Sequence, residues 1–182
     1  MRLSYNAPVV LTFTFLSVFV FVFTHQIAPL FLDWFVIHPT FNFANPVDYF
    51  RLFSHILGHQ DLNHLMGNFT LILLVGPILE EKYGSETLLI VMLITAFITS
   101  VLNVLFFSTG LLGASGVVFL FIFLASFTSF KQGEIPLTFI LVFVLFIGQE
   151  VLASFKTDNI SHFAHILGGM VGSGFGFLWN KK

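Results

Sequence analysis

Leu111 to Phe127 reads LLGASGVVFLFIFLASF, and the fold follows from how this stretch is read. Nine apolar residues, Val117 to Ala125, follow Ser115-Gly116 without a polar break. A helix that is apolar on every side must be enclosed by protein or lipid. At its head stands a hydroxyl between two glycines, Gly113-Ala114-Ser115-Gly116. A second polar side chain, His165, opens another apolar run 50 residues later. Polar side chains are costly to bury in hydrocarbon and mark functional positions there, so this pair suggests a nucleophile and its base.

The whole chain has the same character. It is 57% apolar, 18% aromatic and 9% charged, with a mean hydropathy of +0.96. Soluble domains carry roughly 25% charged residues, so this is the composition of a membrane protein. The absence of cysteine excludes disulfides, thiolate metal sites and a thiol nucleophile. A net charge of −2 implies no nucleic-acid partner.

Six stretches are candidates for crossing about 30 Å of hydrocarbon at 1.5 Å per residue. They are Pro8–Thr24, Leu62–Leu79, Glu86–Phe107, Ser115–Phe130, Ile135–Ser154 and Ser161–Trp179. An even number of crossings places both termini on one side. Arg2, Lys82, Lys131, Lys181 and Lys182 then share that side, against Arg51 and Lys156, which makes the termini cytoplasmic. No clear cleavage site follows His25, so the first segment reads as a span and not as a leader. The connection from His25 to Asp61 is rich in rings (Phe31, Trp34, Phe35, Phe41, Phe43, Tyr49, Phe50) and is expected to lie in the outer leaflet. No repeat or separate soluble domain is visible, so residues 1–182 read as one membrane domain.

Depth can be counted along helices. Ser115, His165 and His64 each lie 16 residues before a charged residue of the inner boundary: Lys131, Lys181 and Glu80. Three segments thus bring polar side chains to one layer roughly 24 Å above that boundary. Such a layer needs water, which implies a cavity open to the outer side.

Alone, Gly-x-Ser-Gly is equally a packing motif. Position favours chemistry: Ser115 opens a helix, so free backbone amides face the place where an oxyanion would form. Gly168, Gly172 and Gly176 recur every four residues on the face that His165 begins, and the segment with Gly113 and Gly116 is their natural partner. On the second segment His64 and Asn68 share a face and can supply oxyanion donors beside the Ser115 amide. His55, His59 and His64, with His162 and His165 at similar depth, offer a rival reading as metal ligands. No carboxylate shares their face and no His-Glu-x-x-His occurs. His25 and His38 read as ordinary loop residues.

Together these residues resemble the rhomboid intramembrane serine proteases, in the compact six-helix bacterial GlpG type. The resemblance runs from Phe50-Arg51 to the last segment. It implies an all-α polytopic membrane protein, with six transmembrane helices in a rhomboid-like bundle and a long membrane-associated outer loop between the first two. It implies a Ser115–His165 dyad, and an oxyanion hole of His64, Asn68 and the Ser115 backbone amide. It assigns Glu80 a structural role. Phe50 stands in the place of the family's tryptophan in a Trp-Arg pair. Phe119 stands where relatives often carry tyrosine beneath the catalytic histidine; one turn after Ser115, its ring can still stack on His165 but brings no hydroxyl. The cytoplasmic N-terminal domain of some relatives is not expected, because the first segment begins within ten residues of Met1.

The expected activity is hydrolysis of peptide bonds in or beside transmembrane segments of other membrane proteins, in a water-filled cavity open to the periplasmic side of a bacterial inner membrane. No metal or other cofactor is required. The fifth segment holds Phe139, Phe143 and Phe146 but only Gly148 as a small residue, so it is expected to dock loosely as a gate, with Phe155–Ile160 as a lid. The alternatives are a non-catalytic protein that binds transmembrane helices, or a transporter; the inverted repeats of many transporters are not visible.

Overall fold

A computed structural model describes residues 3–127, 134–148 and 162–179. Seven α-helices are described: α1 (Pro8–Val22), α2 (Pro46–Ser54), α3 (Leu62–Tyr83), α4 (Ser85–Phe106), α5 (Ser115–Ser126), α6 (Leu137–Val142) and α7 (His162–Trp179). A wider π turn continues α1 over Phe23–Ile27, and another continues α6 over Phe143–Ile147. Pro29–Phe35 is a 3₁₀ turn. Three of these helical stretches are long and apolar enough to cross a membrane: Pro8–Ile27, Leu62–Tyr83 and Ser85–Phe106. Ser115–Ser126, Leu137–Phe146 and Phe163–Trp179 are shorter apolar helices.

Each long helix buries one stripe. On α3 it is Leu65, Asn68, Phe69, Ile72, Gly76, Leu79 and Tyr83; on α4 it is Leu88, Val91, Met92, Thr95, Ala96, Thr99 and Asn103. Spacings of three and four place these on one side. The remaining faces carry exposed Leu, Ile and Phe, as a lipid solvent allows. α5 is the exception, with Val117, Leu120, Phe123 and Leu124 all wholly buried. It is the axis of the fold, packed by α3, α4, α6 and α7. Its 12 residues span about 18 Å, less than a hydrocarbon core.

Backbone contact between α5 and α7 follows from glycine. A Cβ on Gly168 would collide with the Gly116 carbonyl, and one on Gly172 would come within 2.7 Å of the Leu120 carbonyl. A Cβ on Gly176 would lie 2.7 Å from the Phe127 ring. The expected glycine stripe is therefore the face that α7 turns to α5.

Boundaries differ from the sequence reading at three places. α5, expected to reach Phe130, ends at Ser126, and residues 128–130 lie outside the described residues. The charged stretch Glu80–Ser85 is expected as a loop, yet α3 runs through Pro77 to Tyr83 and α4 begins at Ser85. Only Gly84, at φ 82°, separates them; that conformation is open to glycine and strained for other residues. Helix continues because Glu80 is needed on it. Its two carboxylate oxygens accept the backbone N–H groups of Val9 (2.9 Å) and Val10 (3.0 Å), and the Ser85 hydroxyl donates to it at 2.7 Å. Glu80 thereby caps α1, whose own N-terminus has no side-chain cap. The third difference is α6, which begins at Leu137 and not Ile135. The rest of the expected fifth segment beyond Gly148 and the expected lid at Phe155–Ile160 lie outside the described residues.

The connection between α1 and α3 holds its charges inside. α2 buries Asp48, Arg51 and Ser54 together with Leu52, and exposes Tyr49, Phe50 and Phe53. The Arg51 guanidinium pairs with the carboxylates of Asp33 and Asp48, and its Nε donates to the Asp33 carbonyl at 2.9 Å.

Glu80→Ala would leave one buried and one half-buried amide of α1 without its acceptor, a cost on the order of 2–4 kcal/mol. Thermal unfolding in detergent should show a fall of several degrees, and an unchanged midpoint would contradict the capping role.

Candidate functional site

α5 begins at Ser115, and no side chain caps it among the described residues. The loop before it is held by backbone. Ile37 and Leu111 form an antiparallel bridge, with N–H···O distances of 2.8 and 3.0 Å. The Gly113 N–H donates to the His55 carbonyl at 2.9 Å, and the Asn103 side-chain amide donates to the Thr109 carbonyl at 2.9 Å. The connection from α1 to α3 thus positions the serine loop.

Gly113 has φ 118°, and a Cβ there would stand 2.6 Å from the His64 imidazole. Glycine is required twice over, for the backbone angle and for the ring that fills its missing side chain. His64 sits in the first turn of α3, where Asp61 accepts its backbone N–H at 2.8 Å and caps the helix.

His165 stacks on Phe119, with ring centroids 4.4 Å apart and planes 6° from parallel. Phe119 lies one turn below Ser115 on the same face of α5, so the imidazole covers the face that carries the serine. Ala164 and Gly168, on either side of His165, both meet Gly116. Asn68 is buried on α3, and its amide nitrogen lies 3.0 Å from Nε2 of His59. The four site residues expected from sequence therefore gather around the N-terminus of α5.

His59 and His55 are read from sequence only as metal candidates. Both ring nitrogens of His59 are engaged by protein: Nδ1 donates to the Leu57 carbonyl at 3.2 Å, and Nε2 accepts from Asn68. His55 Nδ1 lies 3.2 Å from both the Arg51 carbonyl and the Ser100 hydroxyl. Among the described residues no group of three His, Asp or Glu side chains is gathered as metal ligands would be. His25 is more than a loop residue: it stacks on Phe21 and contacts the Gln60 carbonyl at 3.0 Å, tying the end of α1 to the start of α3.

The Rhomboid domain family profile matches residues 46–182. The chain belongs to the rhomboid family. Among relatives of this rhomboid chain, Rhomboid-related protein 1 of Caenorhabditis elegans is 34% identical over 139 residues. That match covers 70% of the present chain, which spans only 39% of the relative's length. Rhomboid protease GlpG of Haemophilus influenzae is 25% identical over 134 residues, covering 72% of this rhomboid and 70% of the relative. Family membership and the apolar helices make the chain an integral membrane protein.

Burial pushes the imidazoles of His55 and His59 down to about 4, and the neighbouring His64 ring contributes at His59 while Asp61 opposes it. In the unfolded chain these groups protonate near 6.5. The unfolded state therefore binds more protons between these values, and stability is lost as pH falls from about 6.5 toward 4. Unfolding midpoints measured from pH 7.5 to 4.5 should decline in that window. Replacing His55 and His59 by Gln should flatten the decline, and an equally steep slope in that variant would contradict the assignment.

Proposed function

We propose that this rhomboid is an intramembrane serine endopeptidase that hydrolyses peptide bonds in or near the transmembrane segments of other membrane proteins. The observation that supports this reading is the stack of the His165 ring on Phe119, one turn after Ser115 on the same face of α5, beside the Gly116–Gly168 contact. Ser115 Oγ attacks the scissile carbonyl, and His165 takes its proton and delivers it to the leaving amine. The negative charge that develops on the carbonyl oxygen is met by His64, Asn68 and the Ser115 amide at the uncapped head of α5. The Rhomboid protease GlpG relative supports the activity by its name.

Residues 1–182 act in this reading as one six-helix membrane domain with cytoplasmic termini, in a bacterial inner membrane, with the site open to the periplasmic side. The α1–α3 connection lies in the outer leaflet, supported by the exposed Trp34, Tyr49, Phe50 and Phe53. A helical substrate hides its carbonyls in its own hydrogen bonds, so cleavage requires local unwinding. Substrates rich in Gly, Ser, Ala or Pro at the outer boundary are the fitting class. They enter past the fifth segment, which has no buried residue in α6 and rests on α5 through Phe139, Phe143 and Phe146.

The test is cleavage of single-span reporter proteins in proteoliposomes. Native protein should cut within or beside the span, Ser115→Ala and His165→Ala should not, and Asn68→Ala should slow cutting about 10²–10³-fold. Undiminished cutting by Ser115→Ala would refute the assignment. Cross-linking α6 to α3 should block cleavage of the reporter, and full activity with the link in place would exclude entry past α6.

A further inference from the structure

Asn68 can serve an oxyanion only if its amide nitrogen, and not its oxygen, faces the developing charge. A carboxamide is nearly symmetrical in shape, so packing alone does not select the correct face. Turned the wrong way, Oδ1 would oppose the negative charge instead of stabilising it. Some neighbour must therefore distinguish nitrogen from oxygen.

We propose that His59 is the positioning residue of the oxyanion pocket, its Nε2 accepting from the Asn68 amide at 3.0 Å and from the Ala114 backbone N–H at 3.4 Å, and so fixing Asn68 nitrogen-first beside the serine loop. This inference rests on the proteolytic reading above. Three contacts agree on one tautomer. The Asn68 amide and the Ala114 N–H have only hydrogens to give, so Nε2 must be the lone-pair nitrogen. The proton is then on Nδ1, and the Leu57 carbonyl, which only accepts, stands 3.2 Å from it. One Asn68 amide hydrogen is consumed by His59 and the second is left for a substrate oxygen.

The ring is held to this task. His59 is 1% exposed, its edge meets the His64 ring at 5.0 Å and it packs against Phe69 at 5.6 Å. Burial keeps the imidazole neutral at pH 7, and only the neutral ring has an acceptor. His59 thus touches both oxyanion side chains and the residue preceding the serine, without itself meeting the reacting atoms.

The experiment uses the full chain in detergent with a fluorophosphonate as the probe, whose phosphonyl oxygen needs the same donors. Labelling rates are measured for the native protein, His59→Ala, His59→Gln, Asn68→Ala and His59→Ala/Asn68→Ala. In parallel, the Asn68 side-chain amide resonance is followed in ¹⁵N-asparagine protein and assigned by its loss in Asn68→Ala. His59→Ala should slow labelling about tenfold in the native background and not at all in Asn68→Ala. His59→Gln, which keeps an acceptor oxygen, should restore most of the rate. The Asn68 amide resonance should move in His59→Ala and return toward its place in His59→Gln. Equal losses from His59→Ala in both backgrounds, or an unmoved amide resonance, would overturn the proposal. If His59→Ala does not fold, the native resonance decides: an Asn68 amide without the shift of a hydrogen-bonded donor overturns it. A native protein that resists the probe while the resonance responds would instead count against Ser115 as nucleophile.

Discussion

The contact of Gly116 with Gly168 is the constraint on which the rest depends. Helices reach backbone contact where small residues let them, and α7 does so through Gly168 against Gly116 and through Gly172 against the Leu120 backbone. That closeness brings the His165 ring onto Phe119 and over the face of Ser115. A methyl group at Gly168 has nowhere to go except into the Gly116 carbonyl, so the helices would have to part and the ring would move with them. In the proposed reading, chemistry and packing are therefore set by the same atoms.

Around this axis the connection from α1 to α3 acts as a strap. It reaches the serine loop through the Ile37–Leu111 bridge and the His55 carbonyl, and is itself cinched by Arg51 between Asp33 and Asp48. The buried charges of α2 make sense only in this arrangement: charged groups hold one another inside while Tyr49, Phe50 and Phe53 face outward. Glu80 plays the matching part at the other end, where it caps α1.

What was legible in the sequence is what a local pattern can carry. The starts of α1, α3 and α5 follow from apolar runs, and the Gly168–Gly176 stripe and the Phe119 ring follow from spacings of four on a helix face. The continuation of α3 to Tyr83 was hidden because the charged and turn-forming stretch Glu80–Ser85 mimics a loop, whereas what favours helix there is a bond to a residue 70 positions away. His59 was hidden for a like reason. A histidine nine residues before its amide partner has no periodic relation to it, and only the turn between α2 and α3 brings them together. The six-helix count and the direction of insertion rest on charge asymmetry and family likeness, not on a contact.

The central claim is that Ser115 is an activated nucleophile whose base is His165. The most direct measurement is mass spectrometric location of the adduct after the purified protein reacts with a fluorophosphonate, since a surface hydroxyl without a base does not react. The account predicts one modified residue, Ser115, and no adduct in His165→Ala. An adduct elsewhere, or one on Ser115 that forms as fast without His165, would contradict it.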